Sequence, residues 1–241
     1  MEKELIKKRF AKSLPTYKES AVVQEIMAEN LVNMLPENDY DNILELGSGC
    51  GLLTKKIADN IRFKKYYAVD MVRECEKYIR KISTDIDFIQ ADIEDFIPSE
   101  TVDLILSNAS LQWLDDLENF IQKMKNHLNK NGIFGFTVFG KDNYKELKTI
   151  LKSNLKYYSI DEVEKICSGY EVLNISEDKN ILDFETPKDV LYHIRNTGVN
   201  ALSQTHWTKR DLKQFIEDYN RVCDNKITLT YHPIYVVLRK N

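Results

Sequence analysis

Residues 42–60 read NILELGSGCGLLTKKIADN, and three glycines stand within five positions of this stretch, at Gly47, Gly49 and Gly51. An apolar run precedes the glycines, and residues 52–60 have the residue spacing of a helix. A strand, a glycine turn and a helix in this order predict the first unit of an α/β fold with a ligand at the turn. The chemistry of that ligand is the first question about function.

The spacing of the turn argues against a phosphate ligand. A dinucleotide-binding turn G-x-G-x-x-G would need a third glycine where this chain has Leu52. A P-loop ends in Gly-Lys-Ser or Gly-Lys-Thr, and neither Gly47 nor Gly49 is followed by that ending at the required spacing. Phosphate is therefore not the favoured ligand.

The motif E-L-G-S-G-C-G, from Glu45 to Gly51, resembles the first motif of class I S-adenosylmethionine-dependent methyltransferases. The resemblance implies that the backbone of Gly47, Ser48, Gly49 and Gly51 approaches the amino-acid part of the cofactor. It also implies that Glu45 orients the ammonium group of the cofactor. A carboxylate beside the turn suits a cofactor with positive charges better than it suits a pyrophosphate.

Polar residues follow the next predicted strands where this family binds its cofactor. The resemblance implies that Asp70 accepts both ribose hydroxyls, with Met71 beside it, and that Asp92 contacts the adenine amino group, with Ile93 against the ring. It places Asn108 near the methionine part and the methyl group. Each acid alone could be a helix cap or a solvated side chain. Suitable polar residues at four successive strand ends favour S-adenosylmethionine binding.

Apolar runs and amphipathic segments alternate along the first 140 residues. This alternation predicts right-handed crossovers and a parallel sheet covered by helices on both faces. The resemblance implies a Rossmann-like class I methyltransferase fold, with a mostly parallel seven-stranded sheet and a helical insertion or lid. The predicted strands are 42–47, 66–70, 87–92, 102–108 and 132–140, and the predicted helices are 18–35, 52–60, 73–82 and 113–128.

We expect a single methyltransferase domain over residues 1–241. Its parts are an N-terminal helical segment (1–40), a cofactor-binding core (41–140), an insertion that is mostly a lid over the active site (141–207), and a C-terminal part (208–241). The insertion has helical patterns at 142–156 and 159–168, a strand-like stretch at 170–184 and a helix from Pro187. The C-terminal part has a helix at 208–222 and two strands that we expect to add antiparallel to the sheet edge.

The composition is that of an ordinary globular enzyme, with 43% hydrophobic and 30% charged residues. A net charge of -4 gives no reason to expect nucleic acid or an acidic membrane as a partner. The N-terminus is too charged for a secretory leader, and no run approaches the roughly 20 apolar residues of a membrane helix. We expect a cytoplasmic monomer. The four cysteines lack C-x-x-C spacing, so we expect reduced thiols and no metal.

Segments outside the cofactor motifs resemble one family within this superfamily, the malonyl-acyl-carrier-protein O-methyltransferases of biotin synthesis. The resemblance runs from about Arg9 to Lys240 and implies methylation of the free carboxylate of malonyl on acyl carrier protein or coenzyme A, early in the pimelate branch. The segments are RFAKSLPTYKESAVVQEIMA (9–28), SNASLQWLDDL (107–117), FTVFGKDNYKEL (136–147), VLYHIRNTGVNAL (190–202) and LTYHPIYVVLRK (229–240).

A malonyl carboxylate is already ionised at pH 7, so its methylation needs no general base. The enzyme must place the carboxylate oxygen against the methyl carbon and exclude water. A cation is the usual partner of a carboxylate, and we expect Arg195 as the anchor, with His193 two residues away on the same helix. A solvated surface arginine is an equal alternative. The resemblance puts Tyr17 in a segment that closes over the site, and a buried core tyrosine is the alternative.

An acidic carrier protein would need a basic docking surface on this chain, although runs of charge are usually solvated helix faces. Two other functions stay open at this point. The same fold could methylate a small free carboxylic acid or another metabolite, or it could be a non-catalytic regulator that binds the cofactor. The candidate docking clusters are Lys3, Lys7, Lys8, Arg9 and Lys12, and Lys141, Lys145, Lys148, Lys152 and Lys156.

Overall fold

The structure is a computed structural model that describes residues 3–151, 156–197, 207–224 and 226–241. The strands are β1 (Asp39–Leu46), β2 (Arg62–Asp70), β3 (Ile86–Gln90), β4 (Val102–Ser107), β5 (Leu128–Phe139), β6 (Glu171–Glu177), β7 (Asn180–Asp183), β8 (Thr228–Tyr231) and β9 (Pro233–Arg239). The helices are α1 (Lys3–Ser20), α2 (Val22–Asn33), α3 (Leu52–Asn60), α4 (Glu76–Ile82), α5 (Leu117–Lys125), α6 (Ile160–Ile166), α7 (Pro187–Asn196) and α8 (Lys209–Cys223).

Seven strands form one sheet in the order β3-β2-β1-β4-β5-β9-β6. Strands β1 to β5 pair in parallel, and β9 pairs antiparallel with both β5 and β6. The chain adds β2 and β3 on one side of β1 and then crosses to add β4 and β5 on the other. This reversal opens a crevice at the carboxyl ends of the strands, where ligands bind in folds of this type. The predicted mostly parallel seven-stranded sheet is confirmed.

Helices cover the sheet on both faces because each amphipathic helix buries its apolar stripe against strand side chains. Helix α5 shows the pattern: Leu117, Phe120, Ile121 and Met124 are buried, and the side chain of Asp116 caps the helix by accepting from the backbone of Asn119. One apolar cluster contains the α5 side chains, and a second contains those of α2 and α3. Among the described residues, no helix is both long enough and apolar enough to cross a membrane.

The C-terminal strands were predicted at the sheet edge, and this prediction is wrong. Strand β9 lies inside the sheet, between β5 and β6, while β8 pairs with β7 in a separate two-stranded antiparallel sheet. The physical reason is burial on both faces. Six of the seven β9 residues are buried, as expected of an interior strand, whereas β6 has mostly half-buried or exposed residues and forms the edge.

The predicted helix at 18–35 is divided in the structure, because α1 ends at Ser20 and α2 begins at Val22. Only Ser13 and Leu14 are buried in α1, so its sequence lacks the strong apolar stripe that marks a helix. In the predicted insertion, α6 packs on α5 and β6 completes the main sheet. The predicted helix at 142–156 is a 3-10 turn at Lys145–Leu147 followed by further turns to residue 151, and residues 152–155 lie outside the described ranges.

Candidate active site

The carboxyl ends of β1 to β5 surround one cavity of about 1150 Å³, its open mouth included. Helices α1 and α2, from the N-terminal part of the chain, also contribute lining residues, so segments far apart in sequence enclose the cavity. Its lining includes Lys3, Ile6, Phe10, Tyr17, Gln24, Glu45, Gly47, Ser48, Gly49, Cys50, Asp70, Met71, Val72, Asp92, Ile93, Glu94, Asn108, Ala109, Gln112, Phe139 and Thr197.

The glycine turn lies at the centre of the cavity floor. The backbone N–H groups of Gly47 and Ser48 donate to the carbonyl of Val69 at 2.8 and 3.0 Å, which ties the turn to β2. Gly47 has φ +77°, and a Cβ there would lie 2.3 Å from the hydroxyl oxygen of Ser110. A glycine is therefore required by both conformation and space. The absence of a side chain at Gly47 lets Ser110, in the loop after β4, pack directly against the turn.

Glu45 is buried beneath the turn, and only one of its carboxylate oxygens has protein partners. Oε2 accepts hydrogen bonds from the hydroxyls of Thr54 and Tyr66, both at 2.6 Å. Oε1 is buried without a partner among the described residues. Burial raises the pKa of Glu45 to about 7, although the two hydroxyls act to lower it. A buried, unpartnered carboxylate oxygen on the cavity wall is suited to an ammonium group.

Asp70 follows β2 and is also buried. Its Oδ2 accepts from the backbone N–H of Gly49 at 2.9 Å, and its Oδ1 accepts from that of Val72 at 2.8 Å. Burial raises the pKa of Asp70, and the two backbone N–H groups act to lower it. Each oxygen keeps a further lone pair for a hydroxyl donor. The carboxylate therefore joins the glycine turn to the loop after β2 at the point predicted for a ribose.

Asp92 and Ile93 line the cavity beyond β3, and helix α1 reaches them. The ammonium group of Lys3 lies 2.7 Å from Oδ2 of Asp92 and 2.5 Å from a carboxylate oxygen of Glu94. Lys3 was predicted as part of a docking cluster, but it is engaged at the cavity wall. The adenine end predicted from the sequence is thus closed by the first turn of α1.

Asn108, after β4, lines the cavity, and its side chain makes two hydrogen bonds within the protein. Nδ2 donates to the carbonyl of Gln24 at 2.9 Å, and Oδ1 accepts from the hydroxyl of Thr137 at 2.7 Å. Asn108 therefore joins α2, β4 and β5. The next residue, Ala109, has φ +49°, and this turn presents backbone atoms to the cavity.

The other end of the cavity, near β4 and β5, has a different lining. Gln24, Phe139 and Thr197 line it, and none of them carries a charge at neutral pH. Tyr17 also lines the cavity, but it packs with Phe10, Cys50 and Val72 beside the glycine turn. Burial raises the pKa of the Tyr17 phenol, and no described residue hydrogen-bonds its hydroxyl. Oε1 of Gln24 is likewise buried without a partner. This end therefore offers an uncharged lining with a buried hydrogen-bonding group that has no partner among the described residues.

Arg195 and His193, both predicted at the site, do not line the cavity. Arg195 is exposed on α7, so the structure does not bring it to the ligands. His193 packs inward, with Nε2 2.8 Å from the hydroxyl of Tyr231, and burial lowers the pKa of its imidazole. Tyr17 is the substrate-side prediction that does line the cavity. The segment 198–202, which the sequence also singled out, lies outside the described residues.

Several lining residues were not predicted at the site, and the polar ones among them include Lys3, Gln24 and Thr197. Gln24 carries a detectable signal because it is a polar residue within the buried stripe of α2, beside Val23 and Met27. Among the described residues, no group of three or more His, Cys, Asp or Glu side chains could hold a metal ion. The site therefore consists of hydrogen-bonding groups and carboxylates.

Comparison with known proteins agrees with this geometry. A family model described as a methyltransferase domain matches residues 44–136. A malonyl-[acyl-carrier protein] O-methyltransferase from Chlorobium luteolum is 38% identical over 253 residues, covering 99% of this chain and 96% of the relative. The chain belongs to the malonyl-[acyl-carrier protein] O-methyltransferase family. The predicted family is thereby confirmed, and so is the predicted class of enzyme, an S-adenosylmethionine-dependent methyltransferase.

Solved structures share the fold of this methyltransferase at low identity. The YcgJ protein from Bacillus subtilis has a TM-score of 0.64 at 14% identity, covering 88% of this chain and 96% of that one. The N-methyltransferase NodS from Bradyrhizobium japonicum, in complex with S-adenosyl-L-homocysteine, has a TM-score of 0.54 at 13% identity, covering 93% and 98%. In this methyltransferase, the buried and unpartnered oxygen of Glu45 fits the ammonium group of an amino-acid cofactor.

Proposed function

We propose that this methyltransferase esterifies the free carboxylate of a malonyl group carried as a thioester on acyl carrier protein. The main support is the relative of that name, which is 38% identical over nearly the full length of both chains. A biotin precursor pathway is the setting we propose, because a methyl ester hides the charge of malonyl from enzymes that extend neutral acyl chains. Since the carrier is a soluble protein, we place the reaction in the cytoplasm.

The residues that would hold S-adenosylmethionine are those around the glycine turn. Oε1 of Glu45 would accept from the ammonium group, Asp70 from the ribose hydroxyls, and Asp92 from the adenine amino group, with Ile93 against the ring. When bound, the cofactor supplies a methyl group on a positively charged sulfonium. Met71 and Ile93 would exclude water from the apolar parts of the ligand.

The chain's own contribution to the chemistry is placement rather than proton transfer. The malonyl carboxylate is ionised at neutral pH and needs no base. Gln24 and Phe139 line the β4 and β5 end of the cavity, where an acyl group would be shielded from water, and Tyr17 lines the wall beside the glycine turn. Asn108 fixes the wall between the two ends by joining α2, β4 and β5. Such positioning of reacting atoms accounts for several kcal/mol of a barrier, typically about 7 or more in well-oriented systems.

We place the carrier protein on the exposed side of α1. Lys8 and Lys12 are exposed on this helix, and its other side contributes Ile6, Phe10 and Tyr17 to the cavity. An acidic partner bound there would reach the cavity with a short thioester arm. In the second candidate cluster, Lys141 is paired with Glu162 at 2.9 Å, and none of its described lysines lines the cavity.

The docking surface can be tested by charge reversal. The double variant Lys8→Glu and Lys12→Glu should raise KM for malonyl-acyl carrier protein and leave KM for malonyl-coenzyme A nearly unchanged, because the small thioester does not use the surface. The double variant Lys165→Glu and Lys209→Glu, at exposed positions of α6 and α8, is the charge-matched control. An equal rise for both substrates would place docking elsewhere.

The activity itself is tested by transfer assays with three acceptors: malonyl-acyl carrier protein, malonyl-coenzyme A and free malonate. We expect the carrier-linked substrate to be preferred. Comparable rates with free acids would overturn the carrier-protein assignment, and a protein that binds cofactor but methylates none of them would be a regulator. Complementation of a biotin auxotroph that lacks this step checks the pathway independently.

A further inference from the structure

Charge is distributed unequally along the cavity. Among the described lining residues, Lys3 is the sole lysine or arginine, and it is paired with Asp92 and Glu94. Those ion pairs lie beyond β3. Gln24 is near the end of β4, because its backbone carbonyl accepts a hydrogen bond from the side chain of Asn108. Two strands separate β3 from β4, so these ends are about 14 Å apart at the usual strand spacing. An acceptor carboxylate at the β4 end meets no cation among these residues.

The uncharged end contains one buried amide with unused hydrogen-bonding capacity. Gln24 is 2% exposed, lines the cavity, and has an unpartnered Oε1. A hydrogen bond from the Gln24 amide acts to lower the pKa of Tyr231, whose hydroxyl accepts from Tyr144 at 3.0 Å and lies 2.8 Å from Nε2 of His193. A half-turn of the amide would let Tyr231 donate to the oxygen and would put the NH₂ group where the unpartnered Oε1 now lies.

From this geometry we propose that Gln24 is the specificity-determining residue that holds the acceptor carboxylate, as an uncharged donor in place of an arginine. The inference rests on the proposed function, because it concerns the carboxylate that becomes the ester. His193 and Tyr231 are then positioning residues that orient the Gln24 amide. Arg195, exposed on α7, takes no part in holding the carboxylate.

The electrostatics of the reaction favour an uncharged anchor. The carboxylate oxygen forms its bond to the methyl carbon while the bond from that carbon to the sulfonium breaks, so one negative and one positive charge disappear together. A cation touching the carboxylate would stabilise the charged reactants more than the transition state, and this lowers the rate of the chemical step. An amide N–H orients the carboxylate, and because the amide is uncharged, less stabilising interaction is lost as the negative charge of the carboxylate falls in the transition state.

The decisive variants are Gln24→Met, which removes the donor at similar volume, and Gln24→Glu, which keeps the shape and adds a charge. We expect Gln24→Met to lower kcat/KM for malonyl-acyl carrier protein by about 10- to 100-fold, with S-adenosylmethionine affinity unchanged within about twofold. Gln24→Glu should be nearly inactive at alkaline pH and recover as the pH falls, because the protonated acid again donates. Gln214→Met, on the exposed side of α8, is the matched control.

The outcomes separate this inference from the proposed function. Wild-type transfer to malonyl-acyl carrier protein, with Gln24→Met retaining at least half of kcat/KM, would overturn the role of Gln24 and leave the function intact. Equal loss of cofactor affinity and activity in both Gln24 variants, with no acid recovery, would also overturn it, because that pattern means structural damage. A tenfold loss of kcat/KM in Arg195→Ala would overturn the inference in favour of Arg195 as a cationic anchor for the carboxylate. Wild-type inactivity towards every malonyl thioester would overturn both proposals.

Discussion

The Glu45→Gln variant tests the proposed ammonium site, because it keeps the shape of the side chain and removes its charge. A hydrogen bond to a charged group contributes about 1.5–3 kcal/mol, so the variant should bind cofactor about 10- to 150-fold more weakly when Glu45 is ionised. Burial sets the pKa of Glu45 at about 7 in the free protein. Below that pH the ionised fraction of wild type falls about tenfold per pH unit.

The affinity advantage of wild type over Glu45→Gln should therefore be fully present at pH 8 and about ten times smaller at pH 6. Calorimetric titration with S-adenosylhomocysteine at both pH values measures it, and Glu118→Gln, exposed on α5, is the control for the substitution. Equal affinities at pH 8, or an advantage that does not change with pH, would refute the assignment of this carboxylate to the ammonium group.

The same group also predicts how stability depends on pH without cofactor. Glu45 takes up its proton below about pH 7 in the folded protein and below about 4.5 in the unfolded chain. The folded state therefore binds more protons between these values, and stability falls as the pH rises through that window, by up to about 3 kcal/mol. Urea unfolding at pH 5 and pH 8 should show this loss in wild type and not in Glu45→Gln. The same change in the free energy of unfolding between pH 5 and pH 8 in wild type and Glu45→Gln would contradict the raised pKa of Glu45.

Two further variants probe the turn and the α1 contact. Gly47→Ala should lower the free energy of unfolding by about 1–3 kcal/mol, because its Cβ would overlap Ser110 and because φ is positive there. Adding Ser110→Gly to the same chain should restore part of that stability in urea unfolding. No restoration would mean that the overlap is not the cause of the loss. Lys3→Met should lower the free energy of unfolding by under about 1 kcal/mol, since its ion pairs with Asp92 and Glu94 are partly exposed. It should nevertheless speed cofactor dissociation, measured by stopped-flow displacement, with Lys8→Met as the control. A dissociation rate no faster than that of Lys8→Met would show that Lys3 does not hold α1 over the cavity.

The positions of the residues at the strand ends could be predicted from the sequence because that part of the cavity is local, and their contacts with the cofactor stay a prediction. Strand ends such as Asp70 and Asp92 follow directly from apolar runs that end in an acid, and parallel strands bring those ends together. At Gly47 the structure has a positive φ and a close contact with Ser110, so the turn requires a glycine there. These features need no knowledge of how distant segments pack.

The substrate half depends on tertiary packing, and there the sequence was less informative. Lys3 and Gln24 reach the cavity only because α1 and α2 fold over the sheet. Arg195 follows Ile194, and the helix period set by Val190 and Ile194 already turns it away from the buried side. Strand β9 was misplaced because local pattern does not say which neighbours a buried strand has.

Mass spectrometry of malonyl-acyl carrier protein after incubation with this enzyme and S-adenosylmethionine tests the proposed reaction most directly. We predict addition of a single methyl group to the malonyl carboxylate, removable by an esterase, and no addition to acetyl-acyl carrier protein, which lacks the free carboxylate. Unmodified malonyl-acyl carrier protein, or a methyl group found on the carrier polypeptide itself, would contradict the proposed reaction.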